Sequence, residues 1–391
     1  MQRTELLVVG AGPYGMATAA YASDRGVDTT IVGRPMGFWR EHMPAGMFLR
    51  SGVDWHLDAT YVHTFEAYLE ERGIVPADID PVPIGVFLDY ADWFRAQKGL
   101  DVSDVRVEDI EPVGGGGFRA TLDDGEAIEA AAIVAAPGIA SFGVRPDWIG
   151  ELSPVRWAHT CDVVAFDDLV GRRILIVGGR KSAYEWAALM VDAGAARVDV
   201  VHRHDEPAFA AADWSFVNPL VESTIGTKGW WRSLPQAERE AIAARFWAEG
   251  RLKLEPWLTP RLAAGDVRRH PRTQVEEVHD NDAVNVRLSD GDHIQVDRVV
   301  LATGYRADMS TVPYLARVLD GIDQQEGFPV LDAGMCTTLP GMYVTGFAAT
   351  KDFGPFFGFV KASPAAASII VNDLLDRADW SPAVREGASR T

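Results

Sequence analysis

Leu6-Leu7-Val8-Val9-Gly10-Ala11-Gly12-Pro13-Tyr14-Gly15 is the stretch that decides the fold. Four apolar residues in a row read as a buried strand, and the glycines after them have the Gly-x-Gly-x-x-Gly spacing. An alanine-rich helical pattern follows from Met16, so a helix is expected over 13–25. Each glycine has a task. Gly10 makes the tight turn, Gly12 lets the backbone approach a pyrophosphate, and Gly15 lets the helix pack on the strand. The pyrophosphate then meets the helix N-terminus, where unpaired N–H groups favour an anion. Pro13 belongs to the same turn. A second copy follows the apolar run Ile174-Leu175-Ile176-Val177, as Gly178-Gly179-Arg180-Lys181-Ser182-Ala183. Two such turns imply two dinucleotides facing each other, with electrons passing between them.

An internal repeat supports the pairing. Val107-Glu108-Asp109-Ile110 leads through Asp124-Gly125 and Ile128 to Ile133-Val134-Ala135-Ala136-Pro137-Gly138. Val275-Glu276-Glu277-Val278 leads through Asp290-Gly291 and Ile294 to Val299-Val300-Leu301-Ala302-Thr303-Gly304. Asp-Gly flanked by apolar alternation signals a hairpin. Each copy therefore reads as a small antiparallel meander, then a buried strand and a glycine turn. The expected class is α/β, with two Rossmann-like dinucleotide-binding domains, each carrying a meander. The first domain is expected to be discontinuous, residues 1–145 and 299–391, with the second, 160–298, inserted. Residues 234–264 are expected to be largely helical, broken at Glu255-Pro256 and Thr259-Pro260.

Composition narrows the function classes. The 391 residues are 47% apolar and 24% charged, which suits globular domains. A net charge of −19 disfavours nucleic acid as a partner. The two cysteines, Cys161 and Cys336, form no CxxC pair, which excludes a thioredoxin-reductase-like dithiol mechanism. The histidines show no metal-ligand spacing, so no metal is expected. No stretch reaches the ~18 apolar residues of a membrane span. A cytoplasmic protein without a leader or membrane contact is the expectation, and a homo-oligomer is compatible with it.

Departures from the ideal pattern mark particular residues. The strand Thr29-Thr30-Ile31-Val32 ends in Gly33-Arg34, where an acid would ordinarily hold ribose hydroxyls. Either Arg34 or backbone groups then meet the adenosine end. Arg180 replaces the second glycine of the second copy. Its guanidinium either clamps the pyrophosphate or marks a degenerate turn that binds nothing. The strand Val198–Val201 ends in His202-Arg203-His204. Cations there suit the 2′-phosphate of NADPH, with a solvated surface cluster as the alternative.

Asp297-Arg298-Val299-Val300-Leu301-Ala302-Thr303-Gly304-Tyr305 resembles the DxxxLATGY element of the class B FAD- and NADPH-dependent flavin monooxygenases. The N-hydroxylating ornithine and lysine branch is the nearest resemblance. Met47-Phe48-Leu49-Arg50 with His63-Thr64-Phe65 resembles that branch's flavin-side segment, and Asp213–Asn218 its D-S-P-F-V-N element. Trp39-Arg40-Glu41-His42-Met43-Pro44-Ala45-Gly46-Met47 is similar to a stretch of bacterial flavin-dependent urate hydroxylases. The monooxygenase box with a Phe, a Gly and a His is only echoed, by Trp157 and His159.

The resemblance implies FAD on the first domain and NADPH on the second. It implies hydride passing between them, reaction with O2 to a flavin hydroperoxide, and hydroxylation of a small molecule, foremost at an amine nitrogen. A C-hydroxylase of a heterocycle such as urate is one alternative, and a reductase or oxidase without oxygen insertion is another. Arg50 would hold a substrate carboxylate or a cofactor phosphate. Asn218 would meet the substrate or the nicotinamide. Trp39, Met47, Leu49, Thr303, Gly304, Gly346, Gly354 and Pro355 complete the expected FAD contacts. Gly354-Pro355 is expected to open a helix over 356–377. Several of the 12 tryptophans, among them Trp55 and Trp214, are candidates for an aromatic pocket, although most are expected in the core.

Overall fold

The strand Gln2–Val9 is fully buried from Thr4 onward and lies inside a seven-stranded sheet. The computed structural model describes residues 1–377. In the first sheet Gln2–Val9 pairs in parallel with Thr29–Val32 on one side and with Ala127–Ala135 on the other. The nine-residue strand Ala127–Ala135 serves two structures. Its first half closes the antiparallel meander with Val107–Pro112 and Phe118–Leu122. Its second half receives Met342–Val344 in parallel. The Asp124-Gly125 hairpin forms as the sequence implies, with Gly125 at φ +84°. Helix Pro13–Asp24 packs against helix Ser363–Asp376 through its buried alanine face.

The second sheet is five parallel strands in the order Val267–Pro271, Arg197–His202, Arg173–Val177, Arg298–Leu301, Trp157–His159. Its meander, Val275–Asp280, Val284–Leu288 and His293–Val296, is a separate sheet. The expected limits at 160 and 299 cut through this unit. Trp157–His159 and Arg298–Leu301 both pair inside the second sheet. The buried run Val299–Leu301 is no different locally from a strand of the first sheet, and only its non-local partners assign it.

The two linkers between the sheets are stitched together. Thr303 Oγ1 donates to the Val144 carbonyl at 2.5 Å, and the Val144 N–H donates to the Gly304 carbonyl at 2.9 Å.

Two helical expectations are corrected. Helix Gln236–Arg251 is followed by a short strand, Lys253–Leu254, not by more helix. Thr259-Pro260 lies in the first turn of helix Leu258–Ala263, where a missing N–H breaks nothing. No long helix opens at Gly354-Pro355. Pro355–Gly358 and Val360–Ala362 are single tight turns separated by extended Phe359 (φ −124°), and the helix proper starts at Ser363. Pro364 explains the start, since proline fits only a first turn. The last residues of the first domain as expected, 378–391, lie outside the described residues.

Candidate active site

The two glycine turns are built alike. Gly10 N–H donates to the Val32 carbonyl and Gly178 N–H to the Val201 carbonyl, both at 2.9 Å. Gly10 has φ +107° and Gly178 φ +137°, a region only glycine enters freely. A Cβ on Gly10 would lie 2.3 Å from the Ala136 carbonyl oxygen, and one on Gly178 2.2 Å from that of Ala302. A Cβ on Gly15 would lie 1.7 Å from the Gly10 carbonyl, so helix and turn touch there. Gly12 differs: a Cβ there meets nothing within 4 Å. Helices Pro13–Asp24 and Lys181–Asp192 both lack a side-chain cap and an acid in the first turn. Their N–H groups are left for an anion.

Gly346 (φ +77°) lies over the Tyr14 ring, 3.5 Å from a hypothetical Cβ, which sets the 346–359 segment beside the first turn. The Tyr14 hydroxyl is 2.6 Å from the Phe357 carbonyl and 2.8 Å from that of Phe359. Gly354 (φ +100°) is a packing glycine, since a Cβ would strike Phe356 and Trp231. Trp39 packs on Phe87 with ring centroids 4.9 Å apart and planes tilted by 49°, at the margin of the first core. Arg34 pairs with Glu41 at 2.6 Å.

The flavin-side segment is held by the second fingerprint. Met47 and Leu49 are buried, and between them Phe48 is gripped at both backbone groups. Its N–H donates to Glu185 Oε1 at 3.0 Å, and its carbonyl accepts from Lys181 Nζ at 2.6 Å. Lys181 and Glu185 pair at 2.9 Å, with Glu185 fully buried. Ser182 is exposed in the first helical turn, while Ala183 is buried against the sheet.

Both arginines expected to face ligands hold a helix end instead. Arg50 donates to the carbonyls of Gly250 (2.6 Å), Glu249 (3.2 Å) and Lys253 (3.1 Å), pairs with Glu255 and lies over Trp214. Arg180 donates to the Arg251 carbonyl at 2.9 Å and lies 4.7 Å over the Trp247 ring. The unpaired carbonyls at a helix C-terminus carry partial negative charge, which is why both cations settle there. As the structure stands, Arg50 is committed to the 249–253 carbonyls and to Glu255, and a substrate carboxylate would have to compete for it.

The basic strand end is also reduced. His202 is buried against Gly179, whose added Cβ would be 2.2 Å from the imidazole. Burial pulls its pKa down to about 4, so it is neutral at pH 7. Tyr184 and the His204 carbonyl hold its two nitrogens at 3.0 and 2.9 Å. Arg203 is exposed and forms no ion pair among the described residues.

Asn218 meets residues that no local pattern flagged. Its Nδ2 is 3.4 Å from Asp54 Oδ2, which also accepts from Lys361 Nζ at 3.1 Å. Trp55, Trp214 and Phe359 form the aromatic wall, with centroids 5.5–5.9 Å apart. Asn218 Oδ1, Trp214 Nε1 and the nearby His56 Nδ1 are buried without a hydrogen-bond partner. Burial holds His56 near pKa 4, hence neutral. Asp54, Lys361 and Asn218 come from three distant segments, so only the fold brings them together. Among the described residues, no helix is long and apolar enough to cross a membrane.

Paired glycine turns on twin parallel sheets define a two-dinucleotide flavoprotein. The chain belongs to the pyridine nucleotide-disulphide oxidoreductase family, whose model matches residues 4–220 and 244–366. It is 29% identical over 337 residues to the FAD-dependent urate hydroxylase of Xanthomonas campestris pv. campestris, covering 83% of this chain and 67% of that one. It is 24% identical to ferredoxin–NADP reductase 2 of Oceanobacillus iheyensis, covering 89% and 86%. In fold it is similar to the ornithine N-hydroxylase of Kutzneria sp. 744, solved with reduced FAD, NADP+ and L-ornithine. That match has a TM-score of 0.78 and 16% identity, and covers 95% of this chain and 99% of that one. The protein is a flavin-dependent oxidoreductase of that family, which uses a pyridine nucleotide. Its two cysteines are both free and buried, so the dithiol of the family's name has no counterpart here.

Proposed function

We propose that this enzyme is a monooxygenase that inserts one oxygen atom of O2 into a small molecule at the junction of Asp54, Asn218, Lys361 and Trp214. The observation that carries the reading is the set of orphaned polar atoms there, Asn218 Oδ1, Trp214 Nε1 and His56 Nδ1. A buried polar atom without a partner costs roughly 1–3 kcal/mol, which a bound molecule recovers. An enzyme that only passes electrons to a protein acceptor has no use for such atoms in its interior.

The residues present fit both cofactors. The open space at Gly12 and the uncapped helix beyond it suit the pyrophosphate of FAD, with Gly346 above and Arg34 toward the adenosine. The second turn suits NADPH, with Ser182 facing the pyrophosphate and Arg203 the 2′-phosphate. When bound, FAD supplies the two-electron chemistry that takes hydride from NADPH and activates O2. The chain does the rest. Lys181 and Glu185 fix Phe48, so the flavin-side segment and the NADPH turn hold one orientation. Tyr14 fixes residues 357–359 and with them the neighbouring Lys361. Asn218 and Asp54 orient the substrate, and the aromatic wall excludes water.

Two substrate readings follow. An amine accords with the Asp54 carboxylate and the Asn218 acceptor. A planar heterocycle accords with the aromatic wall and with the Trp214 donor beside that acceptor. The hold of the 249–253 carbonyls and Glu255 on Arg50 favours the heterocycle, because an amino acid carboxylate would have to draw a cation away from such partners. Mass spectrometry of products, from FAD-loaded enzyme with NADPH and a panel of amines and oxidised purines, tests both. Substrate-dependent hydroxylation supports the proposal. NADPH oxidation that yields only hydrogen peroxide, or that is used only to reduce ferredoxin, overturns it.

A further inference from the structure

A corner beside the linkers lies outside the machinery above. The Cys161 thiol is buried, and His159 Nδ1 lies 3.2 Å from its sulfur. His159 Nε2 is 3.3 Å from the Gly304 carbonyl. A carbonyl only accepts, so Nε2 carries the proton and Nδ1 is an acceptor that faces both the thiol and the Cys161 N–H, at 3.4 Å. His42 Nδ1 is 2.8 Å from the Cys161 carbonyl. By the same logic its Nε2 is a free lone pair. This arrangement, with one ring nitrogen donating to a backbone carbonyl, is how metal-binding histidines are usually oriented. Asp162 Oδ1 is 3.7 Å from the sulfur, and Asp162 forms no ion pair among the described residues. One ligand atom each from His42, Cys161 and Asp162 lies within 4.8 Å of the others.

We propose that this corner binds a thiophilic divalent cation of the Zn2+ class, with Cys161, His42 and Asp162 as ligands and His159 as the fourth partner. The donor set is one sulfur, imidazole nitrogen and one carboxylate oxygen, which suits zinc and not magnesium or calcium. At tetrahedral zinc, neighbouring ligand atoms stand roughly 3.5 Å apart, so any of these atoms that lie farther apart must draw together on binding. Binding forms the metal–sulfur bond and releases the thiol proton to solvent, so affinity rises with pH. Exposed Asp162 gives the entry path. His42 precedes the flavin-side segment, whereas Cys161 follows a strand of the second sheet. The cation therefore ties the two halves together. Sequence spacing could not reveal the site, because residue 42 meets residues 159–162 only in the fold.

The test is equilibrium dialysis of the FAD-loaded protein against chelator-buffered Zn2+, with elemental analysis and zinc X-ray absorption. One zinc per chain with one sulfur neighbour is expected. Cys161→Ser and His42→Ala should each weaken binding by at least the roughly 10–100-fold that losing even an outer partner costs. Cys336→Ser should leave it unchanged. So should Asp290→Asn, which alters the separate exposed cluster of His270, Asp290 and Asp292. FAD content equal to wild type shows that a variant is folded. Wild-type protein that retains no zinc, zinc without a sulfur neighbour, or undiminished binding by Cys161→Ser each overturns the proposal. The absorption measurement decides on wild type alone should a variant fail to fold.

Discussion

The turn at Gly10–Gly15 and the turn at Gly178–Ser182 hang from equivalent strands, yet they are finished differently. In the first, the position after the tight glycine pair is open, and nothing lies within 4 Å of a hypothetical Gly12 Cβ. In the second, Arg180 takes that position and its guanidinium leans on the end of helix Gln236–Arg251. The first turn leaves its space to the ligand, whereas the second ties its space to a neighbouring helix. That helix buries only Phe246 among its residues, so Arg50 and Arg180 are its main anchors at the C-terminal end. The same scaffold can thus be made permanent on one side and adjustable on the other, by the choice of glycine or arginine at one position.

The largest expected effect separates the glycines within the first turn. Gly15→Val places atoms where the Gly10 carbonyl stands, 1.7 Å from the first added carbon, and should abolish soluble folded protein. Gly12→Val meets no protein atom, so it should fold normally and purify colourless. FAD content and circular dichroism read the two outcomes. A Gly12 variant that keeps its FAD would show that the open space is not the pyrophosphate site.

Next is the 2′-phosphate. With His202 neutral, Arg203 is the remaining cation at that strand end without an ion pair among the described residues. A charge-assisted contact contributes roughly 1.5–3 kcal/mol, or about tenfold to a hundredfold. Arg203→Ala should erase that much of the preference for NADPH over NADH, measured as the ratio of kcat/KM values. Equal use of both cofactors by the wild type would remove the assignment.

The substrate side comes third. Asn218→Ala and Asp54→Asn should leave FAD content and flavin reduction by NADPH intact, while product per NADPH falls several-fold and hydrogen peroxide rises. Arg50→Ala should behave differently, because its donors hold the 249–253 carbonyls. It should loosen that helix end and raise proteolysis between 249 and 255 before it changes coupling. If Arg50→Ala alone uncouples the enzyme, the arginine serves the substrate after all and the helix contact is secondary.

What was legible in the sequence follows from what is local. An apolar run ending in spaced glycines specifies strand, turn and helix N-terminus within some ten residues, and Asp124-Gly125 and Asp290-Gly291 specify their hairpins. The limits of the second unit were not legible, because Arg298–Leu301 is assigned by partners more than a hundred residues away. Of the helix expected over 356–377 the stretch Ser363–Asp376 forms, while extended Phe359 separates the tight turns before it. For Arg50 and Arg180 the residue type was read correctly as an anion seeker. Sequence does not say that a helix end would be the anion. Asp54 and Lys361 carry no local signature, and only the fold makes them neighbours.

The smallest effect probes whether both halves hold neutral histidines. His56 in the first half and His202 in the second are pulled from 6.5 to about 4, in each case foremost by burial. A lowered pKa means that the folded state refuses a proton which the unfolded chain accepts. Stability from each group is therefore complete above about 6.5 and is lost as pH falls toward 4. The slope per histidine is at most roughly 1.4 kcal/mol per pH unit. Asp58 and Asp297, both held near 2, add to the slope only toward the acid end, where the carboxylates of the unfolded chain begin to take up protons below about pH 5. Urea midpoints should thus fall between about pH 6.5 and 4, and His56→Gln or His202→Gln should each flatten part of the slope. A His202→Gln profile with the wild-type slope would mean that His202 takes up a proton in the folded protein as readily as in the unfolded chain. It would then be a second cation at the 2′-phosphate, Arg203→Ala would cost less than predicted, and the asymmetry drawn between the two halves would shrink.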